Sequence, residues 1–345
     1  MYSQPGASSL MLAPFIRGLM SITEPLLKVE NLKKYFPSRK GLFARIPSPV
    51  RAVDGIDFEV YPGETFSLVG ESGCGKSTTG RLILRLIEPT EGQIWFQGND
   101  ITALSRKAMR PLRKSMQIIF QDPYSSLDPR MTIKDIIGEG LKRYDNLKPQ
   151  QRRDIILEMM SKVGLRSEHC NHYPHEFSGG QRQRIGIARA IILNPKLVVA
   201  DEPLSALDVS IQAQVINLMQ KLKHELHLSY LLITHDLSVV EHISNRIAVM
   251  YLGKIVELAS RDQLFSQPSH PYTKALFSAI PIPKVGQRKQ RIILKGDVPS
   301  PINPPSGCHF HPRCHYTQKI CAELPPGLKE IEMGHWAACH FPPHE

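Results

Sequence analysis

The run Gly70-Glu71-Ser72-Gly73-Cys74-Gly75-Lys76-Ser77, followed by Thr78, combines glycines, a lysine and hydroxyls at the spacing G-x-x-x-x-G-K-[ST]. Glycines let successive backbone N–H groups curl round phosphate oxygens, and the positive end of a following helix adds to the attraction. Lys76 is spaced to reach β and γ phosphates, and the Ser77 hydroxyl to ligate Mg²⁺. Cys74 inside the loop reads first as a small space-filling residue, although a thiol near a helix start is open to alkylation.

Two further groups could act on the same phosphates. Asp201 and Glu202 follow the apolar run Leu197, Val198, Val199 and Ala200. Adjacent acids at a strand end can divide their tasks, Asp201 holding Mg²⁺ through water and Glu202 polarising an attacking water. Ser178-Gly179-Gly180-Gln181 opens a segment of helical period carrying Ile185, Ala188 and Ile192, and offers a second cluster of helix-start N–H groups.

These groups need a scaffold that brings them together. Thr65–Val69, Met116–Phe120, Lys196–Ala200 and Tyr230–Thr234 are short apolar runs ending in polar residues, the pattern of buried parallel strands. In open α/β sheets ligands bind beyond the carboxyl ends of the strands, so the polar endings should meet there. Leu82, Ile83, Leu86 and Ile87 predict a helix after the phosphate loop. Ile211, Val215, Leu218, Met219, Leu222 and Leu226 predict another packed on the sheet. Ile56, Phe58 and Val60 alternate with polar residues and point to a β-rich subdomain upstream. The stretch from Asp122 to Ser178 reads as a helical insertion that includes Arg152–Val163. Beyond Asp262 prolines multiply and periodicity fades, which predicts a loop-rich unit.

The chain has 345 residues, with 43 Lys and Arg against 32 acids, a net charge of +11. That balance suits an anionic partner, whether nucleotide, nucleic acid or the cytoplasmic leaflet of a membrane. No stretch approaches the roughly 20 uninterrupted apolar residues of a spanning helix. Met1–Ile22 holds an apolar patch from Leu10 to Phe15 that Arg17 interrupts, and is read as a tail or interfacial segment, not an export signal. In a reducing compartment, the cluster Cys308-x₅-Cys314-x₆-Cys321-x₁₇-Cys339 argues for metal before disulfides. Wide spacing favours a [4Fe-4S] core over zinc. Zinc with His309, His311, His315 or His340 as substitute ligands, and uncoordinated thiols, are the alternatives.

The order of motifs within Leu26–Asp262 resembles the ATP-binding cassette ATPases. The match comprises GESGCGKST (Gly70–Thr78), Gln121, the signature FSGGQ (Phe177–Gln181), VVADEP (Val198–Pro203), SALD (Ser205–Asp208) and His235. Phe177 departs from the family, which usually has Leu there. The resemblance implies an α/β phosphate-loop NTPase fold of this type, with a β-rich subdomain, a mainly parallel core sheet and a helical insertion at about 123–178. It implies ATP held by the loop Gly70–Thr78 with Tyr35 stacked on adenine, and Mg²⁺ held by Ser77, Gln121 and Asp201. Glu202 would be catalytic, Gln121 would sense the metal and attacking water, and His235 would contact the γ-phosphate. Ser178, Gly179, Gly180 and Gln181 would grip the ATP of a second cassette in a head-to-tail dimer.

More narrowly, the chain is similar to the ATPase subunits of dipeptide and oligopeptide importers, particularly the second ATPase of the dipeptide type. QDPYSSLDPRMT (Gln121–Thr132), HDLSVVEHI (His235–Ile243), HPYTKALFSAIP (His270–Pro281) and GDVPSPINPPSGCHFHPRC (Gly296–Cys314) carry that likeness. It implies a tail at 1–23, a nucleotide-binding domain at 24–262 and a C-terminal extension at 263–345 with a [4Fe-4S] cluster on the four cysteines. The implied partners are a paralogous ATPase subunit, two integral-membrane permease subunits and an extracytoplasmic peptide-binding protein, with no nucleic acid. The implied location is the cytoplasmic face of the inner membrane. A soluble cassette ATPase acting on nucleic acid or ribosomes is the alternative. A phosphate-loop kinase or GTPase has no use for SGGQ and the switch histidine.

Overall fold

The four apolar runs become adjacent parallel strands. The computed structural model describes residues 24–37, 49–280 and 291–342; the expected tail and most of Ser38–Pro49 lie outside them. Its strands are β1 (Leu27–Phe36), β2 (Val50–Val60), β3 (Thr65–Val69), β4 (Glu91–Phe96), β5 (Asn99–Asp100), β6 (Met116–Ile119), β7 (Leu197–Asp201), β8 (Ser229–Thr234), β9 (Arg246–Tyr251), β10 (Lys254–Ser260), β11 (Lys329–Glu332) and β12 (His335–Ala337). The larger sheet runs β11-β12-β10-β9-β3-β8-β7-β6. Every residue of β3, β7 and β8 is buried, because this part of the sheet is covered on both faces.

The smaller sheet, β2-β1-β4-β5, is antiparallel throughout. Ile56, Phe58 and Val60 turn inward as their alternation requires, and Phe58 stacks on Phe66 of β3 with ring centroids 5.0 Å apart. One apolar cluster therefore joins the two sheets. A second runs without a break from the helices Ile133–Tyr144 and Pro149–Lys162, through Gly179–Ile191, to the sheet face under Val209–Leu226. The helical insertion thus shares the core of the sheet.

The core sheet is mainly parallel: β9, β3, β8, β7 and β6 run parallel, and β10, β12 and β11 continue it antiparallel at one edge. One expectation needs correction: the C-terminal segment is more regular than its prolines predict, since β11 and β12 extend this sheet. These strands have four and three residues, too few for a period-two pattern to show, and β11 is largely exposed. A third cluster, with Val69, Tyr251, Tyr272, Phe277 and Phe310 at its centre, fixes the segment to the sheet. The fully buried Glu257 of β10 stitches it further. Its carboxylate accepts from the Ser269 N–H at 2.6 Å and the His270 N–H at 2.9 Å, and lies 2.7 Å from His335 Nε2. Three partners meet the rule that a buried charge must be satisfied.

Candidate functional site

Parallel strands place their carboxyl ends on one side, and the polar residues collect there. β3 leads into the phosphate loop and the helix Lys76–Ile83, β7 ends at Asp201, and Gln121 and His235 lie just beyond β6 and β8. One open cavity is lined by Gly70–Gly73, Gly75–Thr78, Gln121, Glu202 and His235, with Val50, Ala52, Leu276 and Pro301 forming further wall. The last four carry no chemical signal in the sequence.

The loop wraps tightly against its surroundings. Gly75 has φ 111, and a Cβ there would sit 2.1 Å from the Ala52 carbonyl oxygen, so this position admits glycine alone without a backbone shift. Lys76 is buried and donates from Nζ to the carbonyls of Gly70 (2.8 Å) and Glu71 (3.0 Å). Cys74 packs beneath the loop, and burial raises its thiol pKa, which suits a space-filling role.

The acids divide as their positions suggest. Asp201, buried at the end of β7, accepts the Ser77 hydroxyl at 2.7 Å; burial pushes its carboxyl pKa up against that hydrogen bond. Glu202 turns into the cavity from a left-handed backbone (φ 46) that non-glycine residues seldom adopt, with its N–H held by the Ile233 carbonyl at 2.8 Å. Its carboxylate accepts from Gln121 Nε2 at 2.8 Å through one oxygen and lies 3.3 Å from His235 Nδ1 through the other. Residues 81 and 33 positions apart from Glu202 thus orient one carboxylate.

Ser178, Gly179, Gly180 and Gln181 form the start of their own helix and are not among the residues lining this cavity. Ser178 caps the Gln181 N–H, and the Gln181 side chain accepts the Ser178 N–H at 3.0 Å. Gly180 also has a packing reason, since a Cβ there would lie 2.5 Å from Ile211 Cγ2. Tyr35 likewise does not line the cavity. It sits on β1 opposite Arg51, with its hydroxyl bonded to Asp54.

Cys308, Cys314, Cys321 and Cys339 do converge on a second, small cavity. The arrangement of the described residues does not by itself support a metal-binding extension, whether the metal is a [4Fe-4S] cluster or zinc. Among the described residues no group of three or more His, Cys, Asp or Glu is set to hold a metal ion. Of the substitute ligands, His309, His311 and His340 each direct a ring nitrogen to a backbone carbonyl, at 3.2, 2.9 and 2.9 Å. Burial raises the Cys308, Cys314 and Cys339 thiols, the last to about 11.

Sequence reasoning missed contacts from the extension to the phosphate loop. Arg313 grips the Glu71 carboxylate with two nitrogens, and Tyr272 accepts the Glu71 N–H. The phrase HPYT marks Tyr272 in sequence, but nothing there indicates its contact.

A parallel sheet with a phosphate loop, an acid pair at the neighbouring strand end and a helix-start SGGQ defines a phosphate-loop NTPase of the cassette class. The model for "ABC transporter" matches residues 53–205, and that for "Oligopeptide/dipeptide transporter, C-terminal region" matches 256–321. The oligopeptide transport ATP-binding protein AppF of Bacillus subtilis is 53% identical over 92% of this chain and 98% of its own. The dipeptide transport ATP-binding protein DppF of Escherichia coli is 50% identical over 92% and 95%. A dimeric post-hydrolysis structure of the ATP-binding cassette MJ0796, bound to ADP and Pi, superposes with TM-score 0.61 at 28% identity, covering 68% of this chain and 98% of that one. The chain belongs to the ABC transporter ATPases, in the branch that carries the oligopeptide/dipeptide transporter C-terminal region.

Proposed function

We propose that this chain binds ATP between the loop Gly70–Thr78 and Glu202, hydrolyses it, and powers uptake of dipeptides or oligopeptides through a multi-subunit transporter. The observation that carries the reading is the trio Gln121, Glu202 and His235 over the phosphate loop, with Gln121 hydrogen-bonded to Glu202 and the His235 ring 3.3 Å from its other oxygen. Lys76 would exchange the Gly70 and Glu71 carbonyls for phosphate oxygens. Glu202, oriented on both sides, would accept a hydrogen bond from water aimed at the γ-phosphate. Ser77 and Asp201, already bonded to one another, offer hard oxygen ligands suited to Mg²⁺, which would neutralise phosphate charge.

The SGGQ helix start lies off the chain's own cavity, which favours its use on the ATP of a second cassette, a copy or a paralogue. Relatives named for oligopeptide and dipeptide transport support the substrate class. Among the described residues no helix is long and apolar enough to cross a membrane, which fits a peripheral subunit on the cytoplasmic face beneath two permease subunits, with an extracytoplasmic binding protein delivering peptide. The division at about residue 262 into cassette and extension, and Tyr35 as the adenine platform, belong to the same proposal.

Reconstitution with permease subunits and binding protein in liposomes tests it. Lys76→Ala is expected to weaken ATP binding at least about tenfold, through loss of a charge-assisted phosphate contact, and to abolish peptide uptake. Uptake at the parent rate would overturn the proposal.

A further inference from the structure

Glu71 is the one residue of the phosphate loop tied to distant parts of the chain through both backbone and side chain. Its N–H donates to the Tyr272 hydroxyl at 2.9 Å. Its carboxylate receives Arg313 Nη1 at 2.8 Å and Nη2 at 3.2 Å, the fork-to-carboxylate pairing that fixes orientation as well as charge. Its carbonyl takes Lys76 Nζ. Tyr272 and Arg313 lie 201 and 242 positions further along, both in the C-terminal extension.

Neither group is a loose surface contact. Arg313 is 8% exposed and also reaches the Tyr251 hydroxyl at 3.4 Å. Tyr251, Tyr272 and Phe310 pack with ring centroids 4.7 to 5.5 Å apart, a rigid aromatic base under both donors. His270, two residues before Tyr272, caps the helix Pro271–Ser278 by accepting the Tyr272 N–H at 3.1 Å, and its own N–H is held by the buried Glu257. The extension therefore presents a fixed hydroxyl and a fixed guanidinium to the first turn of the loop.

We propose that Arg313 and Tyr272 are positioning residues of the ATP site, through which the C-terminal extension sets the shape and charge of the phosphate loop. This rests on the reading that ATP binds at Gly70–Thr78. A glycine-rich loop held in its binding shape loses less freedom when the triphosphate arrives, so the effect falls on affinity. Charge gives the proposal a sign. Glu71 brings a carboxylate beside a polyanion, and Arg313 neutralises it. Removing Arg313 alone leaves that carboxylate facing the phosphates, whereas removing both charges does not.

The test titrates the full-length protein with a fluorescent ATP analogue and measures KM and kcat for MgATP. Arg313→Met is expected to weaken binding about tenfold or more, consistent with loss of a charge-assisted pair, with kcat within about twofold. Glu71→Gln should cost no more than about threefold, and Glu71→Gln combined with Arg313→Met should return affinity to the Glu71→Gln level; a purely structural pair would show its coupling in unfolding free energy and leave the affinity of the folded protein unchanged. Tyr272→Phe keeps the packing and removes only the acceptor. It should weaken binding about threefold, and it remains informative if Arg313→Met folds poorly. Unchanged affinity in Tyr272→Phe and in Arg313→Met, or a double variant as weak as Arg313→Met alone, would overturn the inference, provided Lys76→Ala does lose ATP. Retention of ATP by Lys76→Ala would instead remove the site reading on which the inference stands.

Discussion

The phosphate cleft and the four-cysteine cavity are both assembled from residues scattered along the chain, yet they are organised in opposite ways. In the cleft, polar groups orient one another: Gln121 and His235 flank Glu202, and Ser77 engages Asp201. In the second cavity, the four cysteines meet Phe310, Pro271 and Phe341; the Tyr316 N–H donates to Cys314 Sγ at 3.4 Å, and among the described residues no hydrogen bond joins one thiol to another. Convergence on a cavity is thus a weaker property than readiness for chemistry. The cleft shows both, and the thiol cavity shows the convergence.

The sharpest way to break this contrast is to remove the basicity of Glu202 while keeping its shape. Glu202→Gln should lower phosphate release at least about 100-fold, the scale of losing a positioned base, with ATP affinity within about twofold. Turnover equal to the parent would mean that the Gln121–Glu202–His235 trio is structural and the cleft no more prepared than the thiol cavity.

What could be read in advance follows the same divide. Buried parallel strands announce themselves as apolar runs, and the expected Thr65–Val69 coincides with β3. The phosphate loop is legible because its chemistry lies within nine consecutive residues. The Glu71 contacts to Tyr272 and Arg313 are illegible because nothing local distinguishes a guanidinium that will close a contact 242 residues away. The left-handed backbone of Glu202 is hidden too, since its N–H is held by Ile233 in a neighbouring strand, far away in sequence. Cysteine spacing suggested a shared metal, but it carries no information about whether the sulfurs face a common point. That depends on packing around Phe310.

Acid probes the dry side of the contrast. Burial holds His270 at about 4, below its ordinary value of 6.5, and it serves the helix as a neutral acceptor. Between these values the unfolded chain binds the proton and the folded one resists it, so stability is present above 6.5 and drains away as pH falls toward 4. The slope from this group is at most about 1.4 kcal/mol per pH unit. Asn can cap the helix without titrating, so His270→Asn should flatten urea-unfolding stability across that window relative to the parent. Identical pH profiles would mean that His270 is hydrated and the cavity region is not dry.

The smallest effect bears most directly on the thiols. If Cys321 is a small apolar filler, Cys321→Ala removes one buried sulfur and should cost about 1 kcal/mol in unfolding free energy, without altering metal content. A ligand of a structural metal behaves otherwise, because binding energy becomes folding energy and losing one ligand costs several times as much. Iron, acid-labile sulfide and zinc assays on anaerobically purified full-length protein accompany the measurement, with less than one equivalent expected for the parent. One cluster per chain, lost in Cys321→Ala together with a large drop in stability, would show that the thiols turn inward on a metal. The two cavities would then differ in chemistry but not in preparation.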